Sequence, residues 1–284
     1  MGAGRSGSTI LGVTLGNCAN IFYAGELDKW LLMSGVSMHE RAGVSTNGGW
    51  DGPPELWSLV REDVAAPADL FGREARRCIE HSSALFRLDK WRARRRLRGR
   101  YRRVTEDLYR AIARRAGASC IVDSSHFPLR ARQLQSLGGI ELYLLFLVRD
   151  PRSVVASWDR PGLPEPRFSM LATNAYLWLT HLLSVFVFLS HPRERRLFIR
   201  YEDFIANPEV ILRDILDRTG SSAAIPDLTS LSTGAPYHGN RLIFSDVVSL
   251  EREGAIASRS SWITTLLQLP WAIVLPFLRP SVGA

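Results

Sequence analysis

Gly2-Ala3-Gly4-Arg5-Ser6-Gly7-Ser8-Thr9, followed at once by an apolar helical pattern over residues 10–15, is the stretch on which the fold turns. Glycines let a backbone turn its N–H groups inward, and a helix N-terminus adds a partial positive charge, so such a loop cradles an anion. Gly2 and Gly7 have the spacing of the Walker A pattern and Thr9 closes it, but Ser8 stands where that pattern has its lysine. The cation is Arg5, inside the loop. A nucleoside triphosphatase lacking the lysine would lose its main contact to the transferred phosphoryl group. A Gly/Ser turn with no ligand is the bland alternative for this segment taken alone.

Working outward, a second anion site is legible further along. The apolar run at residues 142–148 ends in Arg149-Asp150-Pro151-Arg152, and Ser157 follows eight residues after Arg149. A buried strand there delivers Arg149 to the carboxyl edge of a sheet, where ligands sit in open α/β folds. Pro151 starts a helix that carries Ser157 two turns along. Arginine and a hydroxyl together clamp a phosphate. The structural alternative is that Arg149 caps a carbonyl or pairs with Asp150.

Short apolar runs at 21–24, 119–122, 142–148 and 197–200 alternate with helical patterns at 8–15, 88–116, 128–137, 151–158, 170–189 and 208–219. The alternation predicts an α/β three-layer sandwich with a central parallel sheet, of P-loop nucleotide-binding type, in one domain over 1–284. Residues 39–105, Gly- and Pro-rich at their start, are expected to include an acceptor-facing insertion.

The pair GRSGST and RDPRSVVASW resembles the sulfotransferases that use 3′-phosphoadenosine 5′-phosphosulfate (PAPS), in the P-loop superfamily, and is most similar to their bacterial and Golgi-type branch. Arg200-Tyr201-Glu202-Asp203 resembles a strand-end motif of that family whose tyrosine lies near the adenine. His238-Gly239-Asn240-Arg241 resembles a late loop that closes over the nucleotide. The resemblance implies that Arg5, Ser6, Gly7, Ser8 and Thr9 hold the 5′-phosphosulfate, Arg149 and Ser157 the 3′-phosphate, and Tyr201, Gly239, Asn240 and Arg241 the rest of the donor. Arg5 also serves catalysis. The base is Glu26, in the position of a Golgi-branch glutamate, ahead of His126, in the position of the cytosolic branch's histidine. Each has a structural alternative, an ion pair for Glu26 and a helix cap for His126. The family also carries a buried strand before the phosphate loop, whereas only Met1 precedes Gly2 here. The expectation is an upstream segment of about five to eight apolar residues; the alternative is a truncated relative that only binds anions.

The implied reaction moves a sulfuryl group to a hydroxyl of a small alcohol or phenol, a glycan or a glycolipid, with no metal. No cluster of carboxylates or histidines has the spacing of a Mg²⁺ or Zn²⁺ site. A P-loop kinase or phosphatase, with Asp123 as its metal-holding carboxylate, is the competing enzyme class.

Of a net charge of +8, much comes from arginines between Trp91 and Val104. Leu97, Tyr101, Val104, Leu108 and Ile112 recur there at helical spacing, so the run reads as the solvated face of a helix and not as a nucleic-acid platform. Three dispersed cysteines fit a reducing, cytoplasmic setting. Residues 170–189 approach membrane-spanning length. Thr173, Asn174, Thr180, His181 and Ser184 share one side, which predicts a buried amphipathic helix. Residues 262–284, broken by Pro270 and Pro276, read as a docking or interfacial tail giving weak peripheral membrane contact.

Overall fold

The computed structural model describes residues 1–33, 54–64, 69–86, 88–158, 169–250 and 262–278. In chain order the elements are α1 (Ser8–Gly16), β1 (Ile21–Gly25), α2 (Asp28–Met33), α3 (Pro54–Asp63), α4 (Asp69–Ala75, continued by a π-helical turn Arg76–Glu80), α5 (Leu88–Ala116), β2 (Cys120–Asp123), α6 (Pro128–Leu134), β3 (Leu144–Val148), α7 (Pro151–Trp158), α8 (Met170–Leu189), β4 (Arg196–Arg200), α9 (Tyr201–Ala206), α10 (Pro208–Arg218), β5 (Leu231–Ser232), β6 (Val247–Val248) and α11 (Trp262–Val274). All four strands and all six helices expected from periodicity are present, with ends displaced by a few residues. The chain divides into two compact units.

The first unit comprises residues 1–8, 143–222 and 251–284. β3 and β4 pair in parallel, Leu144 opposite Arg196 through Val148 opposite Arg200. Beside β3 runs the start of the chain: the Met1 amino group donates to Leu145 O at 2.6 Å, and Gly2 bridges Leu147. A Cβ on Gly2 would stand 2.3 Å from Leu147 O, so the bridge needs glycine there. Phe146, Val148, Phe188, Phe198, Trp271 and Leu275 form the core, with Phe146 and Phe198 edge to face at 5.6 Å.

The second unit comprises residues 9–142 and 223–250. β1 and β2 are parallel, with an irregularity between Tyr23 and Gly25. The expected stripe of α5 is buried throughout, and it packs with Trp30, Trp57, Val60, Phe71 and Ile79. The described part of the 39–105 region therefore supplies core; residues 39–53 lie outside the described residues. β5 and β6 form a short antiparallel pair. Among the described residues the parallel strands thus form two two-stranded sheets, not the single central sheet expected. Beside β3, the segment before the phosphate loop contributes one bridge and no full strand.

α8 is amphipathic as predicted, but its polar side is the buried one. Thr173, Asn174, Thr180, His181 and Ser184 face inward, while Leu171, Trp178, Leu182, Phe186 and Leu189 are exposed. It is the one helix among the described residues long and apolar enough to cross a membrane. Burial against Trp271 pushes the His181 imidazole down to about 4. The unfolded chain, with an ordinary histidine near 6.5, then binds more protons than the folded one, so stability rises with pH between about 4 and 6.5. Acidifying from about pH 7 to about pH 5 should lower the unfolding free energy by about 1–2 kcal/mol through this residue. Denaturant melts of His181→Phe at both pH values should show that loss removed; an equal loss in the variant would place the acid sensitivity elsewhere.

Candidate functional site

In the first unit three of the predicted motifs meet. The loop 2–8 turns through positive φ at Gly2 (143°), Arg5 (68°) and Gly7 (95°). A left-handed arginine is costly by roughly 1–2 kcal/mol, and such strain concentrates where a backbone is shaped around a ligand. Ser6 donates its hydroxyl to Ala3 O at 2.7 Å, and the Gly4 amide donates to the Tyr176 hydroxyl at 3.2 Å. Both bonds stiffen the loop, and the Ser6 hydroxyl proton is committed to it. The leading amides of α1 have no intrahelical acceptor, as in any helix.

At Gly7 the loop presses on Tyr201, the residue that opens α9 after β4. A Cβ on Gly7 would stand 2.3 Å from the tyrosine ring. The Arg149 guanidinium lies over the same ring, 4.3 Å from its centroid. No carboxylate among the described residues pairs with Arg149, which separates it from the structural alternative above. Asp150 instead takes Arg152 and the Ser153 hydroxyl, and its amide donates to Glu202 at 2.7 Å. The RDPR and RYED segments are thereby tied together, and Arg149 is held against Tyr201 as a planar cation. Ser157 lies half-buried two turns into α7. Arg5 is stacked 5.3 Å from the ring of Trp158, the next residue.

In the second unit the two base candidates lie together. Gly25 takes φ 77°, where a Cβ would meet His238 O at 2.2 Å. That allows the segment at 237–238 to run along the end of β1, with Tyr237 N donating to Ala24 O and Glu26 N to His238 O at 2.8 Å. Trp57 anchors the segment by meeting Tyr237 edge to face and donating to Ala235 O. The His238 Nδ1 then comes 3.4 Å from a Glu26 carboxylate oxygen. Burial opposes ionisation of Glu26, but His238, His126 and Lys29 outweigh it and hold the carboxyl at about 2. Burial lowers the His126 imidazole against the pull of Glu26 and Asp28. Thr9 is buried on α1; Gly239 and Asn240 are half-buried. Arg241 opens a 3₁₀ turn, its side chain lying outside the described part.

Sequence reading missed the support beneath these candidates. Arg130 is buried and bonds Glu80, Asp123, Tyr101 and Tyr109. Asp123 accepts from Tyr109 on one oxygen, and from the amides of Leu27 and Ser125 on the other. Those two amides belong to the residues next to Glu26 and His126. Burial raises the Asp123 carboxyl, yet Arg130 and the Ser125 bonds keep it below its ordinary value. Its oxygens are thus engaged, and no group of three His, Cys, Asp or Glu suited to a metal occurs among the described residues.

No family model and no curated protein sequence matches the chain. Solved structures do. The sulfotransferase domain from the curacin biosynthetic pathway aligns with a TM-score of 0.53 at 17% identity, over 95% of this chain and 95% of that one. The sulfotransferase domain from the Synechococcus PCC 7002 olefin synthase aligns with a TM-score of 0.52 at 18% identity, over 95% of this chain and 92% of that one. The chain has the fold of these sulfotransferase domains.

Proposed function

We propose that this protein is a PAPS-dependent sulfotransferase acting on a hydroxyl acceptor, a member of the bacterial and Golgi-type branch with a P-loop-type donor site. The observation that carries the reading is the stack of Arg149 on Tyr201, with the same ring closed against Gly7. It joins the loop motif to the arginine motif around one aromatic face. An uncompensated guanidinium supplies a charge-assisted partner for the 3′-phosphate, with Ser157 as the second clamp. The Arg5 loop and the first amides of α1 suit the 5′-phosphosulfate.

In the reaction the acceptor oxygen attacks sulfur, the bond from sulfur to the 5′-phosphate oxygen breaks, and 3′-phosphoadenosine 5′-phosphate (PAP) leaves with that electron pair. The acceptor's proton goes to a base, for which Glu26 ranks ahead of His126. Glu26 is ionised down to about pH 2 and so is unprotonated at working pH, while the stabilisation of its charge by His238, His126 and Lys29 makes it a weaker base than an ordinary carboxylate. The chemistry is positioning and electrostatics, as in phosphoryl transfer. A kinase reading would need Asp123 for its metal, and that carboxylate is occupied by Arg130, Tyr109 and two amides.

Arg149→Ala should weaken PAP binding about ten- to a hundredfold, since a charge-assisted hydrogen bond contributes roughly 1.5–3 kcal/mol. Unchanged affinity in the folded variant would remove Arg149 from the site. The function itself is tested by incubating the full chain with sulfur-labelled PAPS and panels of phenols, alcohols, glycans and glycolipids. PAP release matched by labelled acceptor is the expected result. No transfer to any acceptor, combined with thermal stabilisation by ATP–Mg²⁺ and none by PAP, would transfer the protein to the kinase class.

A further inference from the structure

Two helices of the first unit bury polar side chains beside the core residues Phe188, Trp271 and Leu275 and leave a broad apolar stripe outside. α8 hides its hydroxyl, amide and imidazole side chains and exposes a stripe of Leu171, Trp178, Leu182, Phe186 and Leu189, three or four residues apart. α11 and the 3₁₀ turn Leu275–Leu278 are buried only at Thr264, Gln268, Trp271 and Leu275. Outside them Trp262 is 71% exposed, Leu266 61%, Ile273 59% and Phe277 84%. The inner faces are bonded to each other. Asn174 donates to Thr264 Oγ1 at 3.3 Å, and Gln268 donates to Asn174 Oδ1 at 2.9 Å. Trp178, on the exposed stripe of α8, donates to Leu267 O at 2.8 Å, so the two apolar stripes adjoin.

In water this arrangement is unfavourable, because apolar area is left wet and soluble proteins rarely leave large contiguous patches uncovered. In hydrocarbon it is the favourable one: polar side chains bond across helices and Leu, Ile and Phe face out. Neither 170–189 nor 262–278 contains an Asp, Glu, Lys or Arg. The exposed positions carry almost no hydrogen-bonding side chain, which a specific protein partner would use at its rim. Immediately after α8 come Arg193, Arg195 and Arg196 against the single Glu194, with Arg193 and Arg195 exposed, in a chain of net charge +8.

We infer that the α8–α11 face seats the protein in the surface of an anionic lipid bilayer, with the apolar stripes in the outer part of the hydrocarbon and the arginines among the headgroups. The pair does not reach across. α11 has 13 residues with Pro270 inside it, about 20 Å of helix against a core of about 30 Å. α8 is fastened to the unit's core by Phe188 against Phe146. Each arginine near an anionic surface adds roughly tenfold or less to partitioning. The inference is independent of the sulfuryl-transfer reading.

The test uses the full chain, purified in mild detergent and diluted into vesicles of phosphatidylcholine alone or mixed with phosphatidylglycerol, followed by flotation. The protein should float with the anionic vesicles, less with the neutral ones, and tryptophan emission should be quenched by bromine-labelled acyl chains. Phe186→Glu combined with Phe277→Glu changes only exposed side chains. It should cut the floating fraction about tenfold while circular dichroism and PAP binding stay as in the parent. Flotation unchanged in the variant overturns the inference. So does a parent chain that stays in solution beside the vesicles, whether as a monomer or as a discrete dimer that the variant splits; the dimer would mean that a second copy covers this face.

Discussion

Glu26→Gln is expected to lower turnover by roughly 10²–10⁴-fold while PAP binding is retained. The amide keeps the size and polarity of the carboxylate and can still meet His238, but it cannot take a proton. The carboxyl at about 2 is stabilised as an anion by His238, His126 and Lys29 against its burial, so Glu26 stays charged throughout the working pH range. An acid limb in the rate profile between about pH 4 and 7 then reports an imidazole or the raised Glu80 carboxyl, and not Glu26. The two base candidates can be separated on this point. If His126 is the acceptor, removing the Glu26 charge that props up its imidazole shifts the acid limb to lower pH and leaves most of the rate. His126→Ala abolishing turnover, with Glu26→Gln nearly normal, would assign the proton to His126.

Arg130→Met should be the most damaging substitution for stability. Arg130 is 1% exposed and is the only cation bonded to Glu80, itself fully buried, and to Asp123 among the described residues. Breaking a buried pair leaves an uncompensated charge and costs about 3–5 kcal/mol. Burial already drives the Glu80 carboxyl upward against the pull of Arg130, so without the arginine it would take up a proton. Part of the loss should therefore be recovered by Glu80→Gln in the same chain. Urea unfolding followed by far-ultraviolet circular dichroism measures both. A loss below about 1 kcal/mol would show that the network contributes little.

The parts of the fold that were legible in the sequence are those written in local periodicity. The stripe Leu97, Tyr101, Val104, Leu108 and Ile112 is buried as its spacing predicts, because helical register decides a face within a few residues. β3 delivers Arg149 to a helix begun by Pro151, because a buried strand followed by X-Pro has few other readings. What joins distant segments was not legible. Nothing near Glu26 announces His238, and nothing near Arg130 announces Glu80 or Tyr101; these pairings exist only through the packing of other elements. The single central sheet was expected from strand–helix alternation, which fixes the order of elements but not their pairing. In α8 the spacing of Thr173, Asn174, Thr180, His181 and Ser184 revealed two faces, yet which face turns inward depends on the partner. Asn174 found Gln268 and Thr264, so the polar face went in.

The central claim, that the Gly2–Thr9 loop, Arg149 and Tyr201 form a site for a nucleotide with a 3′-phosphate, is met most directly by calorimetric titration of the unaltered chain. PAP and 5′-AMP differ only in that phosphate, and ATP–Mg²⁺ serves as the third ligand. PAP binding about ten- to a hundredfold tighter than 5′-AMP, with ATP–Mg²⁺ no better than 5′-AMP, is the predicted result. Equal affinity for PAP and 5′-AMP, or a preference for ATP–Mg²⁺, would contradict it.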